Sequence, residues 1–197
     1  MNSSLLLVVL ATIGRSAGVP ETQKAVFAGG CFWGVDAVFR HVQGVVAVVS
    51  GYAGGSAGTA QYDMVSTGTT GHAEAVEVTF DPQQISYAKL LEVFFTVAHD
   101  PTQLNRQGPD IGTQYRSAIF HVDDAQRQTA HGLIERLTRA NAFPAPIVTE
   151  VVALETFYPA EAYHQDYYKK NPVRYQVYRY GCGRDQRLEE LWGAAPK

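Results

Sequence analysis

The sequence predicts a two-layer α/β sandwich, of the α/β or α+β class, in a single domain. The chain has 197 residues, a length typical of one domain with a sizeable core. Apolar residues make up 46% and charged residues 18%, which is a globular composition rather than a disordered one. From Lys24 onward, short strand-like and helix-like segments alternate, which favours helices packed on a sheet.

The predicted strands are short runs of β-branched or alternating apolar residues. Glycine pairs or an Asp-Pro step close the first three of them, because these residues favour turns. The strands are expected at 25–28, 45–50, 72–80, 116–122 and 147–154.

Helices are predicted in the intervals between strands. The first spans 31–42, where apolar residues recur on one helical face. Ser86 is expected to cap a second helix, and Asp123 and Asp124 to open a third. A short helical piece follows Pro159, and the chain ends in a tyrosine-rich tail that contains glycine.

The first residues differ from the rest of the chain. An apolar run at 5–13 is followed by small residues at 14–18, which resembles a secretory signal and is too short to cross a bilayer as a helix. No Lys or Arg precedes the run, and Arg15 follows it, which is unusual for a signal. We expect a signal peptide at 1–20 and one domain at 21–197, hence a periplasmic or secreted protein, with a cytoplasmic one as the alternative.

Two classes of function are excluded. The formal net charge is −3 and the chain has no basic run, so nothing favours nucleic acid as a partner. His-Ala-Glu at 72–74 matches the start of a zinc-deaminase motif, but the Pro-Cys-x-x-Cys that must follow is absent from the sequence. We therefore expect no metal site.

The run Gly-Gly-Cys-Phe-Trp-Gly at 29–34 is the densest chemical signal in the chain. Its glycines allow a sharp turn, and Cys31 follows at the first turn of a predicted helix. Free amide groups and the helix dipole stabilise a thiolate there, so we expect a lowered thiol pKa and a nucleophilic sulfur. The alternative is a buried cysteine that packs as a small hydrophobic residue.

Phe32 and Trp33 follow this cysteine directly. By helical spacing they lie off the face that Val35, Phe39 and Val42 form, so part of the pair is expected to line a pocket. The alternative is that both aromatic rings belong to the core.

Glu74 is an anomaly in the strand at 72–80. Alternation places it on the same face as Val76, Val78 and Phe80. A carboxyl group in apolar surroundings has a raised pKa, so it can stay protonated and donate a proton. The alternative is a strand-end glutamate that points to solvent.

Tyr62 and Tyr115 differ from the other tyrosines because they lie in polar, irregular segments rather than on an apolar stripe. Asp110 lies in a predicted loop, where nothing in its surroundings distinguishes it.

Four segments together identify a family. They are Gly-Cys-Phe-Trp-Gly at 30–34, Gly-Tyr-Ala-Gly-Gly at 51–55, Gly-His-Ala-Glu-Ala-Val at 71–76 and Tyr-His-Gln at 163–165. With them the chain resembles the A-type methionine sulfoxide reductases, the peptide-methionine (S)-S-oxide reductases. The resemblance implies a two-layer α/β sandwich with a ferredoxin-like core and a largely irregular C-terminal tail.

The resemblance also implies the reaction. Cys31 corresponds to the thiolate that attacks the sulfoxide sulfur, and Glu74 to the group that protonates the sulfoxide oxygen. Attack leaves a sulfenic acid on the enzyme and releases methionine. We expect a monomer without a cofactor that acts on methionine-S-sulfoxide, either free or in oxidised proteins.

Five further residues take roles by the same resemblance. Tyr62 and Tyr115 correspond to hydroxyls that hold the sulfoxide oxygen, and Asp110 to a further polar contact of the site. Phe32 and Trp33 correspond to the apolar wall for the S-methyl group of the substrate.

Cys182 is the only other cysteine, and the two thiols fit either a structural bridge or a redox pair. It lies between Gly181 and Gly183, in a segment expected to be flexible enough to form a disulfide with Cys31. Thioredoxin or a comparable reductant then opens that disulfide, as in the family. The tail departs from the multi-cysteine tail of some members, so an unpaired or structural cysteine is the alternative.

Two other functions are compatible with part of the pattern. In a papain-like cysteine peptidase, Cys31 beside Trp33 pairs with His164, with Asn171 after it, but the local Cys-Gly-Ser-Cys-Trp signature is absent. The other is a non-catalytic exported module with a Cys31–Cys182 disulfide. Replacing Cys31 by serine abolishes turnover in either enzyme, whereas a module keeps its binding.

Overall fold

The computed structural model describes residues 21–192, so the predicted signal peptide at 1–20 lies outside the described residues. The strands that form the main sheet span Gln23–Gly29 (β1), Val45–Ala53 (β2), Ala73–Phe80 (β3), Ser117–His121 (β6), Glu150–Ala153 (β7) and Phe157–Pro159 (β8). A small separate hairpin consists of Arg106–Gln107 (β4) and Asp110–Ile111 (β5).

Helices cover the connections between these strands. They span Phe32–Phe39 (α1), Tyr62–Val65 (α2), Tyr87–Val93 (α3), Asp124–Arg139 (α4), Tyr167–Lys170 (α5), Pro172–Gly181 (α6) and Arg184–Trp192 (α7). A π-helical stretch continues α3 over Phe94–Ala98, and short 3-10 turns lie at Ala57–Thr59 and Thr113–Tyr115. Within the described part of the chain, no helix is long and apolar enough to cross a membrane.

The sheet has a ferredoxin-like centre. Its strand order is β7-β6-β1-β3-β2-β8. The four central strands, β6, β1, β3 and β2, pair with one another in antiparallel fashion. Helix α1 connects β1 to β2, and α3 lies between β3 and β6, which gives the βαββαβ order. Strand β7 runs parallel to β6, as the crossover through α4 allows. The predicted fold class is therefore confirmed.

Both faces of the central strands are buried, because side chains alternate between two apolar clusters. On β1, Phe27 faces the main core under the helices, whereas Val26 faces a smaller cluster on the opposite side. The Phe27 ring stacks against Phe39 and Phe94 at centroid distances of 5.1 and 5.0 Å. Cys31 belongs to this main core, which places the nucleophile of the sequence analysis at its edge.

The predicted helix starts are confirmed by their caps. The Ser86 side chain accepts a hydrogen bond from the backbone N–H of Lys89, and the Asp123 side chain accepts one from that of Gln126. Element ends were predicted less well. Helix α1 ends at Phe39, three residues before its expected end, since the chain already turns there toward β2.

The C-terminal segment corrects the expectation of an irregular tail, because it forms the two helices α6 and α7, here called the tail helices. Pro172 occupies the first turn of α6, where its missing N–H costs no hydrogen bond. Two glycines lie at the junction, where Gly181 ends α6 and Gly183, with φ +65°, separates it from α7. An ion pair between Arg179 and Asp185 joins the two helices.

Candidate active site

A sharp turn between β1 and α1 positions Cys31. Gly30 has φ +84°, and a Cβ at this position would lie 2.6 Å from the side chain of Gln107 and 2.8 Å from that of Arg184. Glycine is therefore required for both conformation and space. Cys31 is the N-cap residue of α1, so its side chain lies at the start of that helix.

Cys31 is only 7% exposed, and this burial is the main influence on the protonation of its thiol. Burial and the nearby carboxylate of Glu74 raise the pKa of the Cys31 thiol, while hydrogen bonds from Tyr178 and from the Trp33 N–H lower it. The net pKa lies well above its ordinary value, which contradicts the lowered pKa expected from the sequence. The backbone N–H at the helix start does lower the thiol pKa, as expected. Removal of the sulfur from water raises this pKa by more.

Glu74 lies on the face that strand alternation predicts, with Val76 and Val78 in the main core beyond it. It is 2% exposed and stands opposite Tyr52 of β2. The backbone N–H of Phe32 donates to its Oε2 at 3.0 Å. Burial outweighs this bond and raises the pKa of Glu74 to about 8, so the carboxyl group keeps its proton at neutral pH.

The Cys31 thiol and the Glu74 carboxyl share one buried site. The backbone N–H of Phe32, the residue after Cys31, donates to the Glu74 carboxyl group, and the Cys31 side chain favours the ionised form of Glu74, although burial dominates. Each group in turn raises the pKa of the tyrosines around it. A sulfur nucleophile and a proton donor therefore lie close together in one buried site.

Tyr62 and Tyr115 come from two separate segments and face this pair. Tyr62 is the first residue of α2, and Tyr115 ends the 3-10 turn before β6. Burial is the main cause that raises the pKa of both phenols, and the charges of Glu74 and Cys31 raise them further. Both hydroxyl groups stay protonated near neutral pH and are able to donate hydrogen bonds.

Asp110 and Tyr178 form a hydrogen bond across the site. The Tyr178 hydroxyl donates to Oδ2 of Asp110 at 2.9 Å. The Asp110 charge also raises the pKa of Glu74 and of Cys31, which places this carboxylate beside them. Asp110 itself is held in the β4–β5 hairpin.

Phe32 lies in the core, whereas Trp33 lies in the wall of the candidate site. Phe32 is 1% exposed and packs in the main core, with its ring 5.0 Å from that of His164. Trp33 is half-buried and stacks on Tyr167 at 3.7 Å with 3° between the rings. Its Nε1–H donates to Nδ1 of His164 at 3.1 Å, and the Tyr178 ring meets it edge-on at 5.7 Å.

Several residues of the site were not found from the sequence. Tyr178 is one of eleven tyrosines, and no local pattern distinguishes it. Glu161 accepts hydrogen bonds from the Tyr52 hydroxyl and from the backbone N–H of Tyr62, each at 2.8 Å, and so fixes the start of α2. His164 was noted only in a motif and as a possible peptidase histidine, and its role in holding Trp33 was missed.

Cys182 is a free thiol, and so is Cys31. Cys182 is the C-cap residue of α6, is 4% exposed, and its Sγ donates to the carbonyl oxygen of Arg179 at 3.2 Å. It therefore lies at the junction of two helices rather than in an irregular segment. Because both thiols are free, the structure contradicts a permanent Cys31–Cys182 disulfide. The alternative of a non-catalytic module depended on that disulfide.

The peptidase alternative is also wrong. The Nδ1 atom of His164 accepts its hydrogen bond from Trp33, so this histidine has no pairing with Cys31 that would activate a peptidase nucleophile. Asn171 is the N-cap residue of α6 and closes α5, a local structural position.

The arrangement suits one kind of chemistry. A thiol in contact with a protonated carboxyl group, with two phenols nearby, can attack an electrophilic centre while an oxygen atom is protonated. Fold and site together define a thiol-dependent enzyme on a ferredoxin-like α/β sandwich.

Comparison with known proteins identifies the family. The family model for peptide methionine sulfoxide reductase matches residues 23–195. A peptide methionine sulfoxide reductase MsrA 2 from Mesorhizobium japonicum is 57% identical over 154 residues, which are 78% of this chain and 79% of that protein. The chain belongs to the peptide methionine sulfoxide reductase family, and it is an oxidoreductase.

Solved structures show the same relationship. Mxr1 from Saccharomyces cerevisiae in reduced form has a TM-score of 0.73 and 35% identity, with 77% of this chain and 87% of Mxr1 covered. The same yeast protein in complex with Trx2 has a TM-score of 0.52 and 25% identity, with 74% and 84% covered.

Proposed function

We propose that the chain reduces methionine-S-sulfoxide to methionine with Cys31 as the nucleophile and Glu74 as the proton donor. The observation that carries the proposal is a buried carboxyl group, with a pKa of about 8, that is hydrogen-bonded to the backbone N–H of Phe32 directly after the buried Cys31. Family membership supports the substrate, and the S epimer follows from the A-type resemblance.

The first half-reaction moves an oxygen atom from substrate to enzyme. The Cys31 sulfur attacks the sulfoxide sulfur and forms an S–S bond to it, while Glu74 gives its proton to the sulfoxide oxygen. Glu74 then takes up the proton that leaves the Cys31 thiol. The resulting hydroxyl group passes from the substrate sulfur to the Cys31 sulfur, so the S–O bond and the transient S–S bond both break, methionine leaves and Cys31 becomes a sulfenic acid. The substrate sulfur gains two electrons and the Cys31 sulfur loses two.

Burial of the Cys31 sulfur accounts for the high thiol pKa at rest. While Glu74 is protonated, it has no charge to oppose ionisation of the thiol, and the remaining barrier is desolvation of the sulfur. The positively polarised sulfur of a bound, protonated sulfoxide offsets that barrier at the moment of attack. We therefore expect the Cys31 pKa to fall when substrate binds.

Tyr62 and Tyr115 stabilise the oxygen as its charge develops. Both hydroxyls keep their protons and border the Glu74–Cys31 pair, which suits donors to a sulfoxide oxygen. Trp33 supplies an apolar wall for the S-methyl group, with Phe32 behind it, and Asp110 provides a polar contact at the rim of the site.

Cys182 resolves the sulfenic acid in the second half-reaction. Its thiol attacks the oxidised Cys31 sulfur, water leaves, and a disulfide forms. A thioredoxin-like dithiol then reduces the disulfide. The Trx2 complex of yeast Mxr1 supports this class of reductant. Because Cys182 is buried at the end of α6, the tail helices must move before the two sulfur atoms can meet.

A coupled assay on resolved sulfoxide epimers tests the proposal. The wild type should consume the S epimer with either dithiothreitol or thioredoxin as reductant. Cys31→Ser should have no turnover with either reductant. Turnover of the R epimer alone, or full activity in Cys31→Ser, contradicts the proposal. Parallel assays with free methionine sulfoxide and with an oxidised protein define the preferred substrate.

We further propose that residues 1–20 direct export to the periplasm or the medium. The apolar run followed by small residues supports this proposal. Expression with a C-terminal tag, followed by cell fractionation and N-terminal mass analysis, tests it. An exported chain that begins near Val19–Glu21 is expected, and an uncleaved chain in the cytoplasm contradicts it.

A further inference from the structure

Tyr178 reaches the candidate site from the tail helix α6. Its hydroxyl donates to Asp110 and its ring meets Trp33 edge-on, while the same hydroxyl lies near enough to Cys31 to lower the pKa of that thiol. These three partners all belong to the set of residues that the sequence assigned to the substrate site. The phenol is thus surrounded by groups that the sulfoxide itself must contact.

Substrate and Tyr178 compete for the same space. Attack requires the sulfoxide sulfur to lie about 3–3.5 Å from the Cys31 sulfur. The Tyr178 hydroxyl already lies beside that sulfur atom, where it lowers the thiol pKa, and it is held there by its hydrogen bond to Asp110 and its ring contact with Trp33. Cys31 is only 7% exposed in this arrangement, so a ligand that reaches its sulfur must displace the phenol.

We propose that Tyr178 is a further residue of the substrate site, which occupies the sulfoxide position when the site is empty and leaves it when substrate binds. Departure of Tyr178 frees the end of α6 that carries Cys182, so substrate binding prepares the resolving thiol. This inference rests on the proposed function and adds the coupling between its two half-reactions.

The structure of α6 supports this coupling. The backbone N–H of Cys182 donates to the carbonyl oxygen of Tyr178 at 2.8 Å, so the two residues are joined through one helical turn. Three other side chains of α6 face solvent, with Val173, Val177 and Tyr180 at 72, 70 and 79% exposed, whereas Tyr175 and Arg179 are half-buried. With so few packed side chains, the helix depends in part on the contacts that Tyr178 makes.

The second tail helix is held independently. The Arg184 guanidinium donates from Nη1 to the carbonyl oxygen of Ala98 at 2.9 Å, and Arg187 donates to Asp100 at 2.6 Å. Helix α7 can therefore stay attached to the body of the domain while α6 moves, once the Arg179–Asp185 ion pair between the two helices opens. The Gly183 position between them, with φ +65°, is a suitable hinge.

Alkylation of Cys31 tests whether Tyr178 covers the nucleophile. The measurement uses a Cys182→Ser background, so that iodoacetamide reports one thiol, and compares Tyr178→Ala with Tyr180→Ala as the matched exposed control. Tyr178→Ala should react about tenfold faster, as loss of one buried hydrogen bond and a ring contact predicts. Equal rates in the two variants overturn the proposal.

Steady-state kinetics with dithiothreitol test the competition. Tyr178→Phe keeps the ring but loses the hydrogen bond to Asp110, so KM should fall about fivefold while kcat changes little. If Tyr178 instead stabilises the thiolate during attack, kcat falls and its dependence on pH moves to higher pH, which overturns the proposal. Absence of turnover in the wild type would be a failure of the proposed function instead.

Hydrogen exchange tests the coupling to Cys182. The Cys31→Ser variant binds methionine sulfoxide without consuming it. Saturating substrate should speed amide exchange over 172–182 at least severalfold and leave α7 unchanged. Slower or unchanged exchange in α6 with bound substrate overturns the coupling.

Discussion

Replacing Glu74 by glutamine removes the proposed proton donor and keeps nearly the same shape. The amide oxygen of the new side chain can still accept the hydrogen bond that the Phe32 N–H gives to Oε2 in the wild type. The amide has no acidic proton, so the sulfoxide oxygen leaves without general-acid help. Loss of a positioned acid typically costs about 10²–10⁴-fold in rate. We expect kcat for the S epimer to fall within this range.

The same substitution should stabilise the protein above acidic pH. The pKa of Glu74 is raised from 4.5 to about 8 in the folded protein. Between these pH values the folded protein keeps a proton that the unfolded chain releases. Stability of the wild type therefore falls by about 1.4 kcal/mol per pH unit across this window, relative to a neutral side chain. The difference reaches roughly 3 kcal/mol at pH 7 and roughly 4 kcal/mol at pH 8, both as upper limits.

Two assays on one pair of proteins check this reasoning. Thermal melts of wild type and Glu74→Gln between pH 4.5 and 8.5 should diverge as pH rises. Each kcal/mol corresponds to about 2–4 °C in Tm for a domain of this size. Wild-type kcat/KM should decline as pH rises through about 8, where Glu74 loses its proton, and the residual activity of Glu74→Gln should lack this decline. Glu77→Gln on the same strand is the matched control, because Glu77 carries a surface ion pair with Lys24.

If the difference in Tm between wild type and Glu74→Gln does not change with pH, Glu74 titrates normally in the folded protein. An unchanged alkaline decline in Glu74→Gln would assign that decline to another group. Either result refutes a buried proton donor at this position, whereas a loss of rate alone does not establish it.

Three further substitutions have defined outcomes. Tyr62→Phe and Tyr115→Phe should each lower kcat roughly 10²-fold with little effect on Tm, and normal kcat in both would remove the phenols from the reaction. His164→Leu deprives the Trp33 indole of its acceptor and should raise KM about fivefold with a shift in tryptophan emission, while an unchanged KM assigns His164 to stability alone. Cys182→Ser should keep turnover with dithiothreitol and lose it with thioredoxin, and equal loss with both reductants contradicts a resolving role.

The sequence predicted the parts of the site that depend on local pattern. Glycine before Cys31 requires a turn into a helix, and alternation along β3 decides which face Glu74 occupies. Both signals lie within a few residues of the group concerned. The ferredoxin-like order followed from the family resemblance and not from the strand pattern itself.

Contacts between distant segments could not be predicted in this way. The Tyr178–Asp110 hydrogen bond joins residues 68 positions apart, and the Glu161–Tyr62 bond joins residues 99 apart. Such pairs are decided by how the helices and the small hairpin pack on the sheet. The Cys31 pKa was mispredicted for the same reason, because the sequence indicated the helix start but not the depth of burial.

The tail differs from what the family resemblance implied. The resemblance implied a largely irregular segment, yet Gly181 and Gly183 mark the junction of two helices. The Tyr178 ring packs edge-on against Trp33, and the Tyr175 ring meets that of Tyr168 of α5 at an angle of 60°. Tertiary packing of these faces stabilises α6 beyond what its own sequence provides.

A single-turnover experiment on Cys182→Ser without any reducing thiol tests the oxygen transfer to Cys31 most directly. The enzyme is mixed with one equivalent of methionine-S-sulfoxide, and methionine and trapped sulfenic acid are counted by mass spectrometry. We expect one methionine for each sulfenic acid, with the modification on Cys31. Methionine released while Cys31 stays unmodified would contradict the whole account.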